Sequence, residues 1–105
     1  MFERFRSEGR RFRHGVVWCS WVRDAAATPP GVAYAIGRPV GGAVVRNRVR
    51  RRLRAILTAE ADRAALPSGY YLVGVTPAAA AATFQQLSAD VGSMTGLVRK
   101  AAADG

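Results

Sequence analysis

The chain has 105 residues, with 16 lysines and arginines against 7 aspartates and glutamates and a formal net charge of +9. Roughly 100–200 residues is one domain's worth, and the lone cysteine, Cys19, excludes a disulfide framework or a multi-cysteine zinc site. No apolar run nears the ~18 residues of a membrane span and the first residues are charged rather than signal-like, so a cytoplasmic protein with no membrane partner is expected.

Half of the residues are hydrophobic, but many of them are alanine, so the core is modest. A chain of this size buries roughly 65% of its unfolded surface, enough to fold without staples. All the cations but Lys100 are arginine, and the isoelectric point near 11.4 points to a polyanion as partner. One histidine, His14, and scattered carboxylates offer no paired-carboxylate, H-x-x-E-H or nucleophile-elbow arrangement. A protein ribonuclease of the acid–base kind needs two positioned proton-transfer groups of separated pKa. The composition therefore describes a nucleic-acid binder that is not self-sufficient as an enzyme. It offers no catalytic residue, no metal ligands and no small-molecule substrate.

Phe2 to Glu8 reads as a short helix with Phe2 and Phe5 at i, i+3, closed by Gly9. Val16 to Val22 is rich in β-branched and aromatic residues and reads as a strand. Trp18 and Trp21 then face opposite sides, one toward the core and one free to line a cleft. The stretch from Asp24 to Gly31 is a loop, because two prolines and a glycine end regular structure. Val32 to Ile36 is a second strand, expected to pair antiparallel with the first across that loop.

From Ala43 to Ala61 the period changes. Val45, Val49, Leu53, Ile56 and Leu57 fall in a stripe about 120° wide, the mark of an amphipathic helix. Ala65 to Gly69 is a second punctuation point, and Tyr70 to Thr76 is a strand ended by Pro77. The alanines from Ala78 to Ala82 read as a lead-in without chemistry of their own. Thr83 and Gln86 form a capping box at the start of a last helix, whose Phe84, Leu87, Val91, Met94 and Val98 repeat at helical spacing. Phe84, Met94 and Leu97 are expected in helix packing, and Cys19 as a small buried apolar residue. The order is an α+β or α/β sandwich in a single domain, with a helix crossing between two strands that run parallel if they are neighbours.

Function concentrates in residues 46–54, R-N-R-V-R-R-R-L-R, and no acidic residue occurs between Asp24 and Glu60. On the helix, Asn47, Arg48, Arg51 and Arg54 point away from the apolar stripe, while Arg46, Arg50 and Arg52 lie along its borders. A merely solvated face normally interleaves acids for i, i+4 pairs. Uncompensated arginines repel at about 0.2–0.5 kcal/mol per adjacent pair, an arrangement better understood if a polyphosphate neutralises it. Arginine's planar fork also gives bidentate phosphate contacts and stacks on bases. Asn47 is either an N-cap at a late helix start or a hydrogen-bonding contact to RNA.

The block from Val32 to Arg54, V-A-Y-A-I-G-R-P-V-G-G-A-V-V-R-N-R-V-R-R-R-L-R, closely resembles the signature of the bacterial ribonuclease P protein component, and its R-N-R motif is highly specific. Phe2-x-x-Phe5-x-x-x-Gly9 is similar to that family's N-terminal aromatic helix, and Gly69-Tyr70 and Pro77-Ala78 to its late strand and turn. The resemblance covers nearly the whole chain, 1–105, as one domain. It implies an α-β-β-β-α-β-α, ribosomal-protein-like fold with a small mixed sheet. A left-handed crossover around the arginine helix and an additional strand near Arg10 to Arg13 are also implied. It further implies a protein subunit that pairs with a large catalytic RNA. That RNA holds catalytic Mg²⁺ together with the substrate and removes the 5′ leader of precursor tRNA.

By resemblance, Arg46, Asn47, Arg48, Arg50, Arg51 and Arg54 match the RNA-contacting run. Arg52 belongs to the same run, and Arg38 is the cation kept from a pair that precedes it. Phe2 matches an aromatic that stacks on the single-stranded leader, in a cleft between the first helix and the sheet. Arg6 stands where the family has a second aromatic, and Tyr34, at a strand centre, is either core or part of the leader surface. The chain starts almost at the aromatic helix, without the basic lead-in that relatives carry.

Overall fold

A computed structural model describes residues 2–63 and 66–105. Its elements are α1 (Phe2–Glu8), β1 (Arg10–His14), β2 (Val17–Arg23), β3 (Gly31–Ala35), α2 (Ala43–Asp62), β4 (Gly69–Val75) and α3 (Phe84–Asp104). Two 3₁₀ turns, Arg38–Val40 and Pro77–Ala81, lead into α2 and α3. The additional strand is β1, five residues long. Ala65, at the second punctuation point, lies outside the described residues.

The four strands form one mixed sheet in the order β1-β2-β4-β3. β2 and β3 do not pair, contrary to the expectation from the intervening loop, because β4 lies between them. β4 is antiparallel to β2 and parallel to β3. The physical reason lies in the loop and in β4 itself. Residues 24–30 make too long a link for a tight hairpin, and they leave β3 free to stand two strand spacings, roughly 10 Å, from β2. β4 is the most buried of the strands and takes a central place beside β2. The β3–α2–β4 connection joins neighbouring parallel strands, as the crossing helix requires.

Alternation along the strands separates two faces. Phe12, Val17, Cys19, Trp21, Val32, Tyr34, Tyr71, Val73 and Val75 pack with the inner sides of α2 and α3 in one apolar cluster. Val49, Leu53, Ile56 and Leu57 are the buried seam of α2, with Val45 half-buried at its start. Leu87, Val91, Met94 and Val98 are the seam of α3. Phe84 and Leu97 depart from the expected packing: each is 42% exposed, to the side of that seam. The Thr83–Gln86 capping box forms in both directions, with Gln86 N donating to Thr83 Oγ1 and Thr83 N to Gln86 Oε1.

The polar tips of the core aromatics are satisfied where the chain enters β4. Tyr71 Oη donates to the Pro67 carbonyl at 2.6 Å and Trp21 Nε1 to the Ser68 carbonyl at 3.2 Å. Cys19 is fully buried, and burial pushes its thiol up to about 12. Opposite this core lies the second face, carrying Arg11, Arg13, Trp18, Ser20, Ala33, Tyr70, Leu72 and Gly74 by register. α1 crosses this face at β2. Gly9 makes the approach possible, since a Cβ there would sit 2.4 Å from Ser20 Oγ and 2.3 Å from the Phe5 carbonyl oxygen.

Candidate nucleic-acid interface

α2 begins at Ala43 with Gly42 as N-cap, which puts Asn47 inside the helix and removes its capping alternative. Its Oδ1 accepts from Arg50 Nη1 at 2.9 Å. Asn47, Arg51 and Arg54 are exposed, and Arg46, Arg50 and Arg52 are half-buried at the borders of the seam, as the helical periodicity requires.

Arg48 departs from expectation. It is half-buried rather than pointing clear of the core, and its Nη2 donates to the Ala80 carbonyl at 2.9 Å. Arg52 Nη1 donates in the same way to the Ala82 carbonyl at 3.2 Å. The reason is the turn Pro77–Ala81, which packs along that side of α2. The Nε atoms of Arg46 and Arg48 are enclosed with no hydrogen-bond partner among the described residues.

Ion pairs among the described residues involve Arg4, His14, Arg63 and Arg99, and none joins a carboxylate to any arginine from Arg46 to Arg54. The sequence explains this, because the 35 residues 25–59 contain no acid. The guanidinium groups are therefore held on a helix whose other side is apolar seam, and no carboxylate among the described residues compensates their charge. Arg38 is exposed on the first 3₁₀ turn, which leads into α2.

The leader-binding candidates divide between the two faces. Phe2 is 69% exposed on α1 and Arg6 is exposed one turn later. Tyr34 is not with them. It lies on the helix side of edge strand β3, half-buried, with the Arg54 guanidinium 5.9 Å from its ring centre. Burial raises its phenol pKa, and Arg54 opposes that rise.

On the open face, Trp18, which is the tryptophan left free of the core, comes together with residues that sequence reasoning did not single out. Arg11 lies over the Trp18 ring at 4.1 Å. The indole is seated on Gly74, where a Cβ would come within 2.2 Å of it. Tyr70 carries Arg4 over its ring at 5.6 Å and, with Phe5, Gly31 and Ala33, lines a hollow of about 210 Å³ beside α1. Arg4 is fixed there by Glu8 and Asp24. The Asp24 carboxyl is held below its usual range by the Ala26 N–H and then by Arg4. The signal for these residues was present in the alternation: once Cys19 and Trp21 are core, Trp18 and Ser20 face away.

His14 lies 3.5 Å from Asp90, whose other oxygen accepts from Val16 N, so this pair ties the β1–β2 turn to α3. No three His, Cys, Asp or Glu side chains come together among the described residues as a metal ion would need. The arrangement can bind and position an anionic, base-bearing polymer.

Residues 1–101 match the family model Ribonuclease P. The chain is 44% identical over 91 residues to the ribonuclease P protein component of Acidothermus cellulolyticus, covering 84% of this chain and 73% of that one. It is 43% identical over 95 residues to that of Beutenbergia cavernae, covering 84% and 79%. Among solved structures, it superimposes on the RNase P protein of Staphylococcus aureus with a TM-score of 0.81 at 14% identity, covering 92% and 87% of the two chains. The RNase P protein of Thermotoga maritima gives 0.78 at 15% identity, covering 90% and 87%. The expectation drawn from the Arg-Asn-Arg block is met by the whole chain, which belongs to the ribonuclease P protein family.

Proposed function

We propose that the chain serves as the protein subunit of the ribonuclease P ribonucleoprotein, binding a catalytic RNA and the 5′ leader of precursor tRNA while the RNA performs the endonucleolytic cut. The observation that carries this reading is the arginine face of α2, braced on an apolar seam and left without a carboxylate partner among the described residues. Magnesium ions held by the RNA and substrate would supply the hydrolytic chemistry. The chain's own side chains gather no donor set for such an ion among the described residues.

In this reading Arg46, Asn47, Arg50, Arg51 and Arg54 face the catalytic RNA, with Arg38 extending the basic surface and Arg48 and Arg52 anchored beside it. The single-stranded leader lies along the open sheet face beside α1. Phe2 and Arg6 stand at its rim, and Trp18 under Arg11 and Tyr70 form its floor. Base–aromatic stacking of about 1–3 kcal/mol per base is indifferent to sequence, which suits a subunit that must accept many leaders. Tyr34, on the other side of the sheet, goes with the arginine helix rather than with the leader. Among the described residues no helix is long and apolar enough to cross a membrane, and we place the assembly in the cytoplasm.

The test is a comparison of precursor and mature tRNA at low Mg²⁺, with and without the protein added to the ribonuclease P RNA. The protein alone should cleave nothing. Added to the RNA, it should tighten precursor tRNA binding and leave mature tRNA, which lacks the leader, little changed. Equal tightening of both would remove the leader from the reading. Co-purification with ribosomes and no effect on leader removal would make the chain a structural RNA binder instead.

A further inference from the structure

We propose that Arg48 and Arg52 are positioning residues that clamp the Pro77–Ala82 segment onto α2, and that the arginine run is thereby divided between phosphate ligands and splints. The proposal rests on the reading that α2 faces RNA, and it changes what two of its arginines do there. Arg48 and Arg52 are one helical turn apart and project to the same side. They meet carbonyls two residues apart, Ala80 O at 2.9 Å and Ala82 O at 3.2 Å.

Those acceptors need donors. The turn's own hydrogen bonds, Ala79 N to Thr76 O and Ala82 N to Ala79 O, use other carbonyls. From Pro77 to Ala82 no side chain can supply a partner, because all six are proline or alanine. A half-buried carbonyl left unbonded is costly, so the two guanidinium groups complete the turn from outside it.

The same contacts act back on the helix. A carbonyl dipole eases the repulsion within the arginine run without placing a formal negative charge beside it. An aspartate or glutamate would do the first more strongly but would repel phosphate. No acidic residue occurs from 63 to 89, the segment that faces this side of α2 through its turn. Arg48 and Arg52 share half-burial with Arg46 and Arg50, and what sets them apart is the turn carbonyl that each one meets. The splints fix the turn and the start of α3 against α2, and the exposed arginines stay free for RNA.

The experiment is a salt titration of the intact protein binding to transcribed ribonuclease P RNA, with Arg51→Ala, Arg48→Gln, Arg52→Gln and the two Lys replacements. Circular dichroism at the assay temperature checks folding, and hydrogen exchange at the Ala82 N–H reports the turn. Arg51→Ala should lower the log–log salt slope by about 0.7–0.9, one phosphate contact. Arg48→Gln and Arg52→Gln should speed exchange at Ala82 and weaken binding about three- to tenfold at every salt concentration with the slope unchanged. Lysine, which keeps a donor long enough to reach the carbonyl, should restore affinity.

A slope loss in the Gln variants equal to that of Arg51→Ala overturns the clamp and makes both residues phosphate ligands. Unchanged affinity in folded Gln variants overturns it as well, since the contacts would then position nothing. Should a Gln variant fail to fold, the corresponding Lys variant decides. Native affinity with slow exchange at Ala82 upholds the clamp, and native affinity with fast exchange refutes it. If Arg51→Ala also leaves the slope untouched, the reading of α2 as the RNA face is what fails.

Discussion

Replacing Trp18 with alanine should separate leader binding from everything else the chain does. Trp18 is half-buried and outside the main apolar cluster, so its removal spares the core. What it removes is the plane that lies on Gly74 and carries Arg11 at 4.1 Å. One base stacked there contributes about 1–3 kcal/mol, which is a loss of about 5- to 150-fold in affinity for precursor tRNA. Arg11 loses its cation–π contact too, worth about 0.5–1 kcal/mol at an exposed site, so the upper part of the range applies if that guanidinium itself touches the leader. The assay is equilibrium binding by the reconstituted holoenzyme of precursor tRNA and of mature tRNA at fixed salt. Trp18→Phe, which keeps an aromatic plane, should recover most of the loss. Fluorescence supplies an independent reading. Trp21 is only 2% exposed and bonded to the Ser68 carbonyl, so a leader-dependent change in emission reports Trp18. Equal losses for both tRNAs, or undiminished precursor binding by Trp18→Ala, would refute the open face as the leader path.

Leu53→Ala removes a fully buried side chain from the seam of α2 and should cost about 3–5 kcal/mol, lowering Tm by more than about 10 °C in a thermal melt. A shift of only a degree or two would mean the seam repacks freely. Thr83→Ala removes the Oγ1 that accepts from Gln86 N, leaving only the backbone half of the capping box, and should cost about 1 kcal/mol, or roughly 4–8 °C, with RNA binding unaffected at temperatures where the chain is folded. Cys19 should resist thiol reagents at pH 8 in the folded protein and react on unfolding, because burial holds the thiol protonated. Its folded pKa of about 12 lies above the usual 9.0, so the associated stability is whole below pH 9 and is lost as pH rises toward 12. The buried Tyr71 phenol is shifted in the same direction and steepens the loss. Undiminished stability at pH 11 would contradict both shifts.

Most elements were legible because they write a period into the sequence. The seam Val49–Leu53–Ile56–Leu57 and the Thr83–Gln86 box each follow from local geometry and appear as expected. Strand neighbours were not legible in the same way. Val32 to Ile36 reads identically whether it pairs with β2 or with β4, and only the competition of all strands for the centre decides. β1 was weakest of all, since of its five residues only Phe12 reaches the core. Spacing carries no hand either, so the sense of the β3–α2–β4 crossover lay beyond it. The arginine run was legible as charge but not as geometry. Nothing in the helical projection of Arg48 could show that a distant alanine segment, itself without functional side chains, would supply the acceptors for it.

Strand order also decides what the open face is made of. With β4 between β2 and β3, Trp18 stands opposite Gly74 and Gly31 opposite Tyr70, so each large ring has a glycine beside it to lie on. A hairpin of β2 with β3 would instead have set Trp18 beside a residue from the 31–35 strand. Leu72 and Tyr70 would then have been left at an edge. The glycines are thus meaningful only in the observed topology: a Cβ at Gly74 would come within 2.2 Å of the indole, and one at Gly31 within 2.9 Å of the Tyr70 ring. Flat aromatic surface with cations laid over it is what an unpaired nucleotide strand needs from a protein. The same insertion of β4 leaves β3 at the edge and carries α2 across from it, so that Arg54 reaches Tyr34 on the far side of the sheet. One choice of strand order therefore sets both the floor for a single strand and the placement of the arginine helix relative to it. That is why the two surfaces can be tested apart by mutation while being built by the same fold.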